Sequence, residues 1–206
     1  MTELQSIADN NLFFEPILGC RPINGFSHRF YKPEPGQSMD VFGAISTSRN
    51  HARLLKKAYL QKNHKIVGKL LGYPECCVDF FIKTWGAKPM IIDPIWQYAL
   101  NGKHKVMDSH TLEITGDPKT NILMRYFNLR STPHICCKPD CKETIEFTDI
   151  FEQVTPKKVW SEAMTIIDQD TEWNNLKGIV EVHTDDFIGI ANSTTYKDKK
   201  VIRWVS

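Results

Sequence analysis

Two short stretches, each setting cysteines at the start of a helix-patterned segment, constrain this chain more than any other feature. The first is Gly68–Trp85, GKLLGYPECCVDFFIKTW, and the second is His134–Glu146, HICCKPDCKETIE; together they hold five of the six cysteines. In the first, Gly72 suits the position just past a helix. Pro74 suits the first helical position of the next, where its missing N–H costs nothing. Val78, Phe81, Ile82 and Trp85 then recur at i, i+3, i+4, i+7, the spacing of a buried helix face. Cys76 and Cys77 fall in the first turn, where unpaired N–H groups and the helix dipole favour a thiolate.

The second stretch repeats the arrangement. Asp140 and Glu143 have the D-x-x-E spacing of a capping box, which places Cys141 at the first helical position. Phe147, Ile150, Phe151 and Val154 supply the helical face. Cys137 lies four residues before Cys141 on the turn leading in, and His134 three before that. A loop thiolate and a helix-start thiolate offer two ligands to one ion, provided the fold brings the two helix starts together.

The candidate ligands are thus Cys76, Cys77, His134, Cys137 and Cys141. C-x-x-C pairs are the ordinary zinc signature, and a C-C pair with C-x3-C departs from it. Adjacent helical side chains point roughly 100° apart, which disfavours both reaching one ion. An iron–sulfur cluster, with several irons, takes adjacent ligands more easily. Zinc is the first candidate cofactor and an iron–sulfur cluster the second. A set of buried cysteines with no metal, or a redox dithiol, is the remaining alternative. His134 stands as a ligand, a loop histidine or a nearby acid–base group.

The motifs G-Y-P-E-C-C-V-D-F-F at Gly72–Phe81 and H-I-C-C-K-P-D-C at His134–Cys141 resemble those of an uncharacterised prokaryotic family. That family has a G-Y-P-x-C-C helix start and a later H-x-P-C-x3-C element. Gly178–Phe187, GIVEVHTDDF, is similar to its third element, Gly-Ile/Val-x-x-V-x-T-x-x-F. The resemblance runs from about Leu70 to the C-terminus. It marks Cys76, Cys77, His134, Cys137 and Cys141, and implies that Cys136, standing where the family has proline, is an extra cysteine. It brings no established activity.

Composition excludes several classes. A formal charge of +2 over 206 residues carries no global nucleic-acid or membrane signal. The first fifteen residues have no apolar leader core, and no apolar run approaches the roughly 18 residues of a membrane span. Six cysteines are too few for a disulfide scaffold, so free or metal-bound thiols are expected in a soluble, cytoplasmic protein. One local imbalance stands out. Between Asp40 and Glu75 there is no acidic residue, while Arg49, Arg53, Lys56, Lys57, Lys62, Lys65 and Lys69 gather there. Arg53, Lys56, Lys57 and Lys62 are candidate contacts for RNA, a phosphate ligand or a protein partner. The plainer alternatives are a solvated helix face, or one balanced by the acidic segment Glu162–Asp186. No Gly-rich phosphate loop, nucleophile elbow or H-E-x-x-H is present.

The expected fold is one α+β domain over 1–206, mostly helical with a small C-terminal antiparallel sheet. Residues 1–45, punctuated by prolines and glycines, read as an irregular arm; 46–170 as the helical part carrying the cysteines; 171–206 as β-rich. Helices are expected from about Arg49, with a break near Asn63, at Ile95–Leu100, after Asp117–Pro118 and after Thr155–Pro156. Strands are expected at Gly178–His183, Phe187–Ala191 and Val201–Val205, with Thr111–Thr115 as an edge addition. Two functions fit: a binding or structural protein stapled by its metal, or a metal- or cluster-dependent enzyme with an open coordination position and His134 or Glu75 as acid–base group.

Overall fold

The computed structural model describes residues 7, 10–20, 35–36, 40–86, 93–183, 188–192 and 198–206. The chain divides into two compact units, Met1–Gly72 and Tyr73–Ser206.

In the first unit, β1 (Phe13–Cys20) pairs antiparallel with β2 (Asp40–Ser46), Phe13 opposite Ser46. The register shifts between Pro16 and Leu18, as a proline without an N–H requires of a ladder. Gly43 lies opposite Pro16, and a Cβ there would fall on the Phe14 ring. These stretches were expected to be irregular from their Pro and Gly content. The proline instead marks a register irregularity within a strand, and Gly43 a close approach of an aromatic ring. Helix α1 (Arg49–Leu60) starts on Ser48, whose Oγ accepts from the His51 N–H. Helix α2 (His64–Leu70) starts on Asn63, whose Oδ1 accepts from the Ile66 N–H, which places the break where the sequence has it. Gly72 follows α2 with φ +71°, the left-handed residue that closes a helix.

The second unit carries the remaining elements. Helices α3 (Glu75–Lys83) and α4 (Pro94–Asn101) precede the hairpin β3 (His104–Asp108) and β4 (Thr111–Ile114). Two 3-10 turns, Pro118–Thr120 and Leu123–Phe127, lead to α5 (Lys142–Val154) and α6 (Lys157–Ile167). Then come β5 (Asp170–Asn174), β6 (Ile179–His183), β7 (Ile188–Asn192) and β8 (Val201–Trp204). The six strands form one sheet in the order β3-β4-β8-β5-β6-β7.

The α+β class therefore holds and the sheet lies in the C-terminal half, but it is neither small nor purely antiparallel. β4 and β8 pair in parallel, Ile114 beside Trp204, while every other neighbouring pair is antiparallel. β4 thus sits inside the sheet, with β3 as its edge. β5 alternates Thr171 and Trp173 inward with Glu172 outward, where Glu172 meets Arg203 of β8 at 3.1 Å. Trp173, Val180, Ile202, Trp204, Leu112 and Ile114 build the sheet side of the core, against Ile95, Tyr98 and Ala99 of α4 and Phe80 of α3.

The helix expected after Asp117–Pro118 is two separate 3-10 pieces. Asn121 interrupts it: its Oδ1 accepts from the Leu123 N–H while its amide donates to the Ile167 carbonyl. The spacing of Val159, Trp160, Ala163, Met164 and Ile167 reads as an inward face of α6, and both this face and that of α5 are narrower than the spacing suggests. Ile150 is 57% exposed, Val154 75% and Val159 55%. Phe187, expected to open a strand, lies outside the described residues. No described helix is long and apolar enough to cross a membrane.

Candidate metal centre

The starts of α3 and α5, both in the second unit, bring four sulfurs together. The Sγ atoms of Cys76, Cys77, Cys137 and Cys141 all lie within 4.8 Å of one another. Cys76 is 3.6 Å from Cys141, Cys77 is 3.8 Å from Cys141, and Cys76 and Cys77 are 3.9 Å apart. Four sulfurs around one tetrahedral zinc at about 2.3 Å are separated by about 3.8 Å. Cys77, Cys137 and Cys141 are buried, and Cys76 reaches the surface.

Adjacent cysteines were expected to diverge; here both serve one point. Pro74 caps α3, so Cys76 and Cys77 are its second and third residues. Helical Cα–Cβ bonds lean toward the N-terminus, and in a first turn no preceding turn stands in their way. The second helix start differs by one residue from the expected register. Cys141, with extended backbone, is itself the cap of α5, and its carbonyl accepts from the Thr144 and Ile145 N–H groups. Its thiol is left to face the cluster, while Asp140 pairs with Lys138 at 3.4 Å instead of capping.

The loop carrying Cys137 is fixed by its neighbours. The Asn101 amide donates to the Cys137 carbonyl at 3.0 Å. The Pro139 carbonyl accepts from the Asp117 N–H and the Thr120 hydroxyl. Pro139 packs so closely that a Cβ at Gly102 would strike its ring and one at Gly116 its carbonyl oxygen.

His134 does not join the four sulfurs. Its Nδ1 is 2.6 Å from the Thr132 hydroxyl and its Nε2 is 2.9 Å from the Thr144 hydroxyl, with Tyr73 and Phe147 against its ring. The Thr144 hydroxyl also lies 3.2 Å from Cys77 Sγ. One tautomer satisfies the whole chain: Thr132 O–H donates to Nδ1, Nε2–H to Thr144, and Thr144 O–H to the Cys77 sulfur. Neither threonine was singled out from sequence. Thr144, three residues past Cys141 and therefore on the same helix face, carried the available signal. Cys136 is buried, and its thiol donates to the Lys138 carbonyl at 3.0 Å.

Thiols packed this closely cannot all ionise, because each charge opposes the next. Hydrogen bonds from Cys136 and Cys137 hold Cys77 down at about 5, and the same two neighbours lower Cys141. Burial, then the Cys77 charge, pushes Cys76 up to about 12. Hydrogen bonding with Cys136 raises Cys137, and burial raises Cys136. The neighbouring thiols and burial therefore favour the Cys77 thiolate at the expense of Cys76. A cation at the centre is what allows four thiolates to coexist. The donor set and its spacing fit a metal ion.

The basic candidates lie in the first unit. Glu15 takes Arg53 at 3.1 Å and Lys56 at 4.0 Å, and Arg49 covers the Phe13 ring. Lys57 is exposed in the last turn of α1, and Lys62 is exposed in the turn after it. Glu75 is the exposed first residue of α3. His183 is exposed and pairs with Glu181 at 3.5 Å. Cys20 ends β1, and its side chain lies outside the described residues.

No family model matches the sequence, and no curated protein and no solved structure matches the chain.

Proposed function

We propose that this chain is a metal-binding protein whose Cys76, Cys77, Cys137 and Cys141 hold one zinc ion in a structural site. The observation that supports it most is the sulfur spacing: three separations of 3.6–3.9 Å suit a single tetrahedral ion. An iron–sulfur cube binds each thiolate to a different iron and so holds its sulfurs further apart. Four protein thiolates also fill the coordination sphere, which is the mark of a structural zinc rather than a catalytic one. The ion would pin the start of α3 to the Cys137 loop and the α5 start that follows it, two segments about 60 residues apart in sequence. The helix dipoles of both starts add to the stabilisation of the thiolates. The motif resemblance supports placing the chain in the uncharacterised prokaryotic family described above.

The test is metal analysis of the full chain purified without oxygen. About one zinc per chain is expected, with Cys137→Ala and Cys141→Ala each losing it and Cys136→Ala retaining it. More than one iron per chain, with thiolate-to-iron absorption and inorganic sulfide, would replace zinc by a cluster. Well-folded protein without metal would overturn both. Chelation should unfold the second unit; a chain that stays folded without zinc would favour an enzyme instead.

A further inference from the structure

A second feature of the same unit is a recess lined by Lys119, Arg125, Arg130, Thr132 and His134. Its charges are unbalanced. Lys119 is already committed, at 2.7 Å to both Asp149 and Glu152. Arg125 is half-buried and Arg130 exposed, and among the described residues neither guanidinium has a hydrogen-bond or ion-pair partner. Burial pushes the Arg125 guanidinium below its usual range; the Tyr126 phenol opposes this, and the like charge of Arg130 adds to it. Among the described residues no carboxylate pairs with either arginine to offset that repulsion. Two arginines without acidic partners at one recess match the planar, two-pronged recognition of an oxyanion.

The recess also reaches the thiol cluster. Thr132 and His134 line it, and they begin the hydrogen-bond chain that ends on the Cys77 sulfur. The recess opens to solvent, and its inner space of about 10 Å³ takes one water-sized group, so one oxygen of a ligand's end group can enter while the rest stays at the mouth.

We propose that this recess binds the oxyanion end group, phosphate or carboxylate, of a small ligand, with Arg125 and Arg130 as its donors. The bound group neutralises the arginine pair and stands two side chains from the sulfurs. The site is independent of which metal the cysteines hold, because none of its residues is one of the four ligands.

Calorimetric titration of the full, metal-loaded chain tests this, using inorganic phosphate, phenyl phosphate and acetate as probes. Saturable binding is expected, weakened about tenfold or more by Arg130→Gln and by Arg125→Gln, as loss of a charge-assisted hydrogen bond implies. Arg130 is exposed, so its variant should keep the parent's melting temperature and remains informative if Arg125→Gln does not fold. Preference for the phosphates over acetate assigns a phosphate end group, and the reverse a carboxylate. Absence of saturable binding by all three probes, or unchanged affinity in a folded Arg130→Gln variant, overturns the proposal. So does equal, arginine-dependent binding of an oligonucleotide lacking terminal phosphates, which would make the arginines a nucleic-acid backbone contact.

Discussion

Thr144→Val isolates the hydrogen-bond chain behind the metal centre. Valine keeps the shape of threonine and removes one hydroxyl from a residue with no solvent exposure. That hydroxyl lies 2.9 Å from His134 Nε2 and 3.2 Å from Cys77 Sγ, so the variant leaves a buried ring N–H unpaired and takes one hydrogen bond from the Cys77 sulfur. A buried donor without a partner costs about 1–3 kcal/mol. Thr144→Ser keeps the hydroxyl and deletes a methyl group, at roughly 1 kcal/mol. Urea unfolding of the metal-loaded chain, followed by circular dichroism, should therefore order the proteins as parent, Ser variant, Val variant. Zinc affinity should fall about tenfold or more in the Val variant, as when the partner of a metal ligand is removed. Combining Thr144→Val with His134→Phe should give a coupling of about 0.5–3 kcal/mol, because the second change deletes the partner that the first left stranded. A Val variant as stable as the Ser variant, or strictly additive costs, would refute the hydrogen-bond chain.

Gly116→Ala sets a Cβ against the Pro139 carbonyl oxygen, so it should cost about 1–3 kcal/mol and loosen the Cys137–Cys141 loop, read as faster zinc release to a chelator. Asp93 caps α4 through Oδ1, while its buried Oδ2 has no partner among the described residues, and burial raises its carboxyl above the ordinary value. A raised folded value means that stability is greatest below the unfolded value and falls as pH rises through the folded one. Asp93→Asn keeps the cap and removes that slope, so its stability relative to the parent should improve as pH rises above about 4; a constant difference would contradict the assignment. If α1 contacts single-stranded RNA, Lys56→Ala, Lys57→Ala and Lys62→Ala together should weaken binding and flatten its logarithmic salt slope by about two. A gel shift with no retained RNA at low salt would end that role for the basic face.

The site was more legible in the sequence than the fold around it. Helix starts announce themselves locally, through Gly72, Pro74 and the apolar spacing that follows, and so the four sulfurs could be named before their contact was known. His134 was harder, because H-x-x-C spacing does not say whether a ring nitrogen meets a metal or a hydroxyl. The hydroxyl belongs to Thr144, a residue with no signature of its own. The register of Cys141 as a cap rather than a first helical residue rests on one extended backbone angle that D-x-x-E spacing does not fix. Sheet connectivity was the least visible. β3 is exposed along its whole length and shows no alternation, and β5 is a polar strand around one tryptophan. The parallel pairing of β4 with β8 joins residues far apart in the chain, which periodicity cannot encode. Arg125 and Arg130 stand apart from any motif, and only the folded recess brings them to one place.

X-ray absorption at the metal edge of the anaerobically purified full chain tests the central claim most directly. Zinc held by four sulfurs at about 2.3 Å, with no nitrogen or oxygen neighbour, is the predicted result. A zinc shell containing a histidine nitrogen or a water oxygen would contradict a closed site made of Cys76, Cys77, Cys137 and Cys141. Metal–metal scattering from a cluster would contradict a single ion.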